Sequence, residues 1–146
     1  MVDSLMHLGY MSKAVDLMSD ARLDYLLEKA HIRNEKNRIT GMLLYANGSF
    51  LQVIEGPSSA IKNTFVRIRD DSQHHQIKVL FEEVIESRNF DNWTMGFRRL
   101  STDEVSKAPG MNYLMQGGED LHDYLSTQNE SGKMLQNILL FFKRAA

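Results

Sequence analysis

The stretch from Ile39 to Gly56 constrains the fold more than any other part of the chain. It reads Ile-Thr-Gly-Met-Leu-Leu-Tyr-Ala-Asn-Gly-Ser-Phe-Leu-Gln-Val-Ile-Glu-Gly, two apolar runs on either side of Asn47-Gly48. That dipeptide tolerates positive φ at both positions and suits the two-residue type I′ turn of a β-hairpin. With the turn there, Ala46 faces Ser49, Leu44 faces Leu51 and Met42 faces Val53 on one side, and Tyr45–Phe50, Leu43–Gln52 and Gly41–Ile54 pair on the other. Both faces are apolar, so the hairpin belongs in the middle of a sheet with cover on both sides. One polar side chain, Gln52, interrupts the pattern in mid-strand. An amide buried there without a partner costs about 1–3 kcal/mol; a neighbouring backbone group or Tyr45 is the ordinary partner.

The other elements fall around this hairpin. Leu5 to Tyr10 reads as a first strand with Met6, Leu8 and Tyr10 on one face, after which Met11-Ser12-Lys13 leaves it. Ser19 is an N-cap for a helix to about Ile32, with Leu23, Leu26, Leu27 and Ala30 at helical spacing. The polar run from Arg33 to Arg38 returns the chain to the hairpin. Gly56-Pro57-Ser58 then opens a second helix with a buried stripe of Ile61, Phe65 and Ile68. The run from Asp70 to His75 closes that helix. Ile77, Val79 and Phe81 alternate as a fourth strand, and Met95 to Leu100 makes a fifth. The order βαββαββ is the ferredoxin-like α+β plan with one extra strand, and right-handed crossovers put both helices on one face.

The opposite face then needs cover, since Met42, Leu44, Leu51 and Val53 would otherwise form an exposed apolar patch. Met134, Leu135, Ile138, Leu139 and Phe142 form one broad helical stripe, and Glu119 to Gln128 reads as a shorter preceding helix. A C-terminal two-helix cap on that face is expected, with a dimer interface as the competing explanation. The expected division is residues 1–101 as the sheet-and-helix unit and 102–146 as the cap within the same globular body.

Composition excludes several classes. A chain of 146 residues with 42% hydrophobic and 25% charged content has the makings of one soluble domain. Its formal charge of −2 gives no basis for nucleic-acid binding. No apolar run approaches the roughly 20 residues of a membrane span, and the start lacks the basic and apolar regions of a signal peptide, so no membrane partner and a cytoplasmic setting are expected. The absence of cysteine removes disulfides, thiolate metal sites and cysteine nucleophiles. Residues 101–130 hold six acids against one base, a solvated surface or a partner-facing one.

Candidate functional groups are sparse. Tyr10, at the end of the strand beside Gln52, puts a phenol within reach of that amide. Asn34, just before the second strand, can offer an amide to a planar ligand. Trp93 and Met95 flank the fifth strand. Arg67, Arg69, His74 and His75 cluster at the end of the second helix, a solvated helix terminus or a site for a phosphate or ribose. Adjacent His74-His75 lacks metal-ligand spacing, and no P-loop or nucleophile elbow occurs.

Several short segments together resemble a known family. Asn34 followed by Ile39-Thr40-Gly41-Met42-Leu43-Leu44-Tyr45, then Gly48-x-Phe50-Leu51-Gln52-Val53-Ile54-Glu55-Gly56-Pro57, is similar to the central signature of the BLUF domains, the blue-light sensors that use FAD. Tyr10-Met11-Ser12, Arg67-Ile68 with Asp71 and His74, and Arg88-x-Phe90-x-x-Trp93-Thr94-Met95 resemble further family segments in the right order. The tail resembles the short, single-domain members with two C-terminal helices on the sheet face away from the flavin.

The resemblance implies a flavin lying between the two helices over the sheet, FAD with FMN or riboflavin as alternatives, and Asn34 at its pyrimidine edge. It implies Tyr10 and Gln52 as the photoactive pair: on illumination the tyrosine gives up an electron and a proton, and the glutamine rotates or tautomerises, rearranging the hydrogen bonds to flavin N5 and C4=O. Trp93 and Met95 would relay the change to strand 5 and the cap, and Arg67, His74 and His75 would stand at the ribityl or phosphate end. The chain departs from the family pattern at Gly9, where a β-branched residue is usual, at Arg38, where glycine is common, and at Gln73, where arginine is common. The expected function is a non-catalytic photoreceptor, a homo-oligomer signalling to a separate effector protein because no effector domain follows residue 146. The alternatives are an acylphosphatase-like hydrolase using Arg67 and Asn34 and a light-blind adaptor of the same fold.

Overall fold

A computed structural model describes residues 3–16, 19–46, 48–72, 74–90 and 96–99. Five strands and two helices follow in the order β1 (Leu5–Ala14), α1 (Asp20–Asn37), β2 (Thr40–Ala46), β3 (Ser49–Pro57), α2 (Ser58–Asp70), β4 (His74–Val84) and β5 (Gly96–Arg99). The strands lie in the order β4-β1-β3-β2-β5, antiparallel except for the β2–β5 pair. The hairpin forms in the expected register, Leu44 opposite Leu51 and Leu43 opposite Gln52, with Gly48 at φ 80° in its turn. No helix among the described residues is long and apolar enough to cross a membrane.

Both helices cover one face. Met6, Leu8, Tyr10 and Ile54 of the sheet pack with Ile39 and with Ile61 of α2, and Leu27, Phe65 and Ile68 close over them. A second cluster joins Leu23 of α1 to Tyr45 and Phe50. On the other face Met42, Leu44, Leu51 and Val53 are fully buried. The C-terminal cap expected there lies outside the described residues.

Helix α1 runs five residues beyond its expected end at Ile32, to Asn37. Arg33, Glu35 and Lys36 are good helix formers and remain exposed, so the polar run that reads as a return loop adds another turn. Arg38 then stops it in the left-handed region at φ 58°, ψ 37°, and the bonds Ile39 N to Asn34 O (2.8 Å) and Arg38 N to Glu35 O (3.3 Å) are the Schellman pair. Glycine adopts that conformation more readily than arginine.

Helix α2 has Pro57 at its N-cap and no cap from within. Asp3 substitutes, its carboxylate accepting from the hydroxyls of Ser58 and Ser59 and from Ser59 N. Those bonds hold the Asp3 carboxyl below its ordinary range, so the contribution is present above the unfolded value and lost as pH falls through the folded one.

Strands β1 and β4 are longer than expected. The start of β4 at His74 takes in the end of the polar run, and β1 continues past Tyr10 to Ala14 to pair with it. Two register shifts interrupt this pairing, between Gly9 and Tyr10 and between Met11 and Lys13. Each leaves an additional β4 residue opposite β1, a bulge that changes which face follows. Ile77 therefore packs with the helix-side core while Phe81, expected on the same side, lies on the opposite face against His7.

Phe81 also accounts for Gly9. A Cβ at Gly9 would stand 2.4 Å from Phe81 Cζ, so the ring fills the space that a side chain at position 9 would take. Gly9→Val is expected to cost about 1–3 kcal/mol by overpacking. The pair Gly9→Val/Phe81→Leu should lose less than the sum of the single changes in a urea titration, and additive losses would contradict the shared space.

Candidate functional site

The helices part above the middle of the sheet and leave a cleft with two lobes. One, of about 110 Å³, is lined by Ala30, Arg33 and Asn34 from α1, Thr64, Arg67, Ile68 and Asp71 from α2 and its C-terminal cap, and Gln52 and Ile54 from β3. The other, of about 140 Å³, has Leu26, Leu27, Ala30 and Arg33 on one wall, Ile68, Asp71 and His74 on the other, and Tyr10, Leu43, Phe50 and Gln52 below. Ala30, Arg33, Gln52, Ile68 and Asp71 belong to both lobes, so Gln52 stands at the centre of the floor.

Gln52 reaches that place because it alternates with Phe50 and Ile54 on the helix side of β3. Tyr10 is its direct cross-strand partner on β1, and the Tyr10 hydroxyl donates to Gln52 Oε1. Tyr10 is 4% exposed and Gln52 9%. The tyrosine ring rests against Phe65 at 5.9 Å and His74 at 6.2 Å between centroids. Burial, and secondarily the Asp71 carboxylate, push the phenol well above its ordinary pKa, so it keeps its proton to donate.

Asn34 arrives from the helix, not from a loop. Leu23, Leu27, Ala30 and Asn34 stand at i, i+4, i+7 and i+11, one stripe of α1, and the added turn carries the amide into the cleft at 5% exposure. Arg67 lines the Asn34 lobe and is exposed to solvent. His74 lines the Tyr10 lobe, whereas His75 is exposed, pairs with Lys13 and lines neither lobe. Trp93 and Met95 lie outside the described residues. Two charged cleft residues were absent from the candidates: Arg33, which the i+3 spacing from Ala30 would have found once α1 was continued, and Asp71, which caps α2.

This donor set suits a flavin. Two buried amides, Gln52 on the floor and Asn34 on the wall, can each donate and accept, as a ring edge of alternating carbonyl and N–H groups requires. Leu26, Leu27, Leu43 and Ile68 are only half-buried around the cleft, apolar surface that a flat aromatic ring would cover. Arg33 and Arg67 at the solvent side can meet anionic substituents.

Comparisons with known proteins agree with that chemistry. Residues 5–96 match the family described as sensors of blue-light using FAD. The photoactivated adenylate cyclase subunit beta of Euglena gracilis is 36% identical over 93 residues, which cover 63% of this chain and 11% of that protein. The chain thus spans about a tenth of the length of the curated relatives it matches. The dark-state structure of BlrB, a BLUF protein, superposes with a TM-score of 0.68 at 30% identity, covering 87% of this chain and 96% of that one. BlrP1 of Klebsiella pneumoniae, solved with FMN and cyclic diGMP, does so with a TM-score of 0.61 at 29% identity over 65% of this chain and 26% of its own. With the family match, the fold and the cleft in agreement, the chain belongs to the BLUF family of flavin-binding blue-light sensors.

Proposed function

We propose that the chain is a photoreceptor in which light exchanges the hydrogen bond between Tyr10 and Gln52, and that the change is passed to a separate effector protein. The observation that carries this is the Tyr10–Gln52 bond on the cleft floor. When bound, the flavin supplies blue absorption and, once excited, an electron acceptor. Tyr10 would give an electron from its buried ring, its hydroxyl proton would pass toward Gln52 Oε1, at which it points, and both would return to Tyr10 once the amide has rearranged. The Gln52 amide has its oxygen and its nitrogen on two branches of one planar group, so a half-turn or a tautomeric shift replaces an acceptor by a donor at the same place. Two patterns on one amide make a two-state element, which a sensor needs.

Asn34 is assigned to hold the pyrimidine edge, and Arg67 with Arg33 the anionic end. FAD is the proposed flavin, with FMN and riboflavin sharing the ring that the cleft contacts; chromatography of the flavin released on denaturation distinguishes them. Trp93 and Met95 are proposed as the relay to β5, residues 1–101 as the flavin-binding unit, and 102–146 as its helical cap. The chain is proposed to be non-catalytic, homo-oligomeric and cytoplasmic. Its relatives named as adenylate cyclases are far longer, and the family match favours light sensing over an acylphosphatase-like activity or a light-blind adaptor.

Absorption spectra in the dark and after blue light test the reading. A flavin band that moves slightly to the red and returns in the dark is the expected result; colourless protein, or a flavin band unmoved by light, would overturn it. Capture from lysate in dark and light should then recover a partner in one state only.

A further inference from the structure

His74 has both ring nitrogens engaged inside the protein. Its Nε2 lies against the carbonyl oxygen of Ile68 in the last turn of α2, and its Nδ1 stands 2.8 Å from Ser12 Oγ on β1. A carbonyl can only accept, so Nε2 carries a proton, and in the neutral ring Nδ1 then accepts from the serine hydroxyl. The ring so held stands edge-on to Tyr10 at 6.2 Å and 67° and edge-on to Phe50 at 6.4 Å and 86°, a wedge between side chains of β1 and β3.

The backbone is arranged to place it there. Between the pairs Met11–Lys78 and Lys13–His75, Ser12 alone faces two residues of β4, and Gln76 in that bulge has φ 55°. Without the extra residue, alternation from Lys78 would turn His74 to the far side of the sheet; with it, His74 pairs with Ala14 and faces the cleft. A left-handed glutamine is strained, a strain that remains in an edge strand whose first side chain is thereby aimed at Tyr10.

We propose that His74 is a positioning residue for the photoactive tyrosine, clamped by Ser12 and the Ile68 carbonyl, and not a ligand of the flavin's ribityl or phosphate end. Phe65 bounds the Tyr10 ring on another side, so His74 completes the seat that fixes the direction of the Tyr10 hydroxyl toward Gln52. The inference rests on the proposal that this pair is the switch.

The test measures flavin content, photoproduct yield and dark-recovery rate in holoprotein. His74→Ala is expected to keep its flavin and to lose several-fold in yield, with faster recovery. Ser12→Ala should move both readouts in the same direction, and the double variant should fall no further than His74→Ala. His74→Gln should recover much of the yield, since an amide carries a donor and an acceptor at nearly the spacing of the two ring nitrogens. Unchanged yield and recovery in His74→Ala would overturn the proposal. So would a variant that binds FAD and FMN weakly but riboflavin normally and retains its yield, the behaviour of a phosphate ligand. A wild-type protein without any light shift would overturn the photoreceptor reading and this inference together, whereas a wild-type shift matched by His74→Ala would overturn this inference alone.

Discussion

Tyr10→Phe is expected to give a flavoprotein with an ordinary dark spectrum and no blue-light shift. Phenylalanine keeps the ring between Phe65 and His74 and removes only the hydroxyl that donates to Gln52 Oε1. Stability should fall by about 1–3 kcal/mol, the range for leaving a buried acceptor without its donor, so the variant should fold and bind flavin. On the proposed mechanism the photochemical loss should be complete, because without its hydroxyl the ring has no proton to give and is far harder to oxidise. Gln52→Ala should also abolish the shift, for a different reason: Tyr10 remains able to give its electron, but no amide remains to exchange donor for acceptor. Fast spectroscopy separates them, with rapid quenching of the excited flavin persisting in Gln52→Ala and slowed in Tyr10→Phe. A reversible red shift surviving in either variant would contradict the assignment. The buried phenol also predicts a pH dependence. Its folded pKa is raised above the ordinary value of 10.0, so its contribution to stability is complete below the unfolded value and is lost as pH rises through the folded one. The light response should accordingly show no loss from Tyr10 ionisation near neutrality, and alkaline unfolding should be less steep in Tyr10→Phe.

The hairpin was legible from sequence down to its register, because the two-residue Asn-Gly turn read there fixes every cross-strand pair. Gln52 stood out for the same reason, as the one break in a strict pattern. Asn34 was harder to place. Its position was legible only as a word in a motif, since a polar run of good helix formers reads equally as a loop, and the left-handed Arg38 that ends the helix is not the glycine or asparagine that marks such an end. His74 and Phe81 were legible as members of their segments, but the faces they take were not. Alternation assumes unbroken pairing, and two bulges between β1 and β4 reverse the phase, sending Phe81 to the far face and His74 to the cleft. A bulge is fixed by packing around it, here Phe81 over Gly9 and the ring of His74 between Tyr10 and Phe50, so local sequence carries no sign of it.

Glu55→Ala is expected to be strongly destabilising, costing about 2–4 kcal/mol through the donors it leaves without an acceptor. Glu55 reads as the last polar residue of a strand, yet it is 0% exposed. Its carboxylate accepts from Thr40 Oγ1 at 3.1 Å, from Asn89 N at 2.9 Å and from Phe90 N. The Arg88 guanidinium donates beside it to Thr40 Oγ1 at 2.8 Å, to the Glu55 carbonyl at 3.2 Å and to the Arg38 carbonyl at 2.7 Å. Together these bonds tie residues 88–90 to the end of α1 and the open end of the β2–β3 hairpin. Alanine would leave the buried Phe90 N–H without its acceptor and take away the partner of Asn89 N and of the half-buried Thr40 hydroxyl, and Phe90, itself buried, would lose the bond that seats it. Glu55→Gln keeps the shape but turns an amide donor toward groups that are already donors, so about 2 kcal/mol should be lost. The urea midpoint measures both, and a loss below 1 kcal/mol in Glu55→Ala would show the carboxylate to be dispensable. Alternation places Glu55 on the face opposite Gln52, three residues away on the same strand. Glu55→Gln holoprotein should therefore retain a full light-induced shift while unfolding earlier, which separates the anchor of the sheet from the switch that it carries.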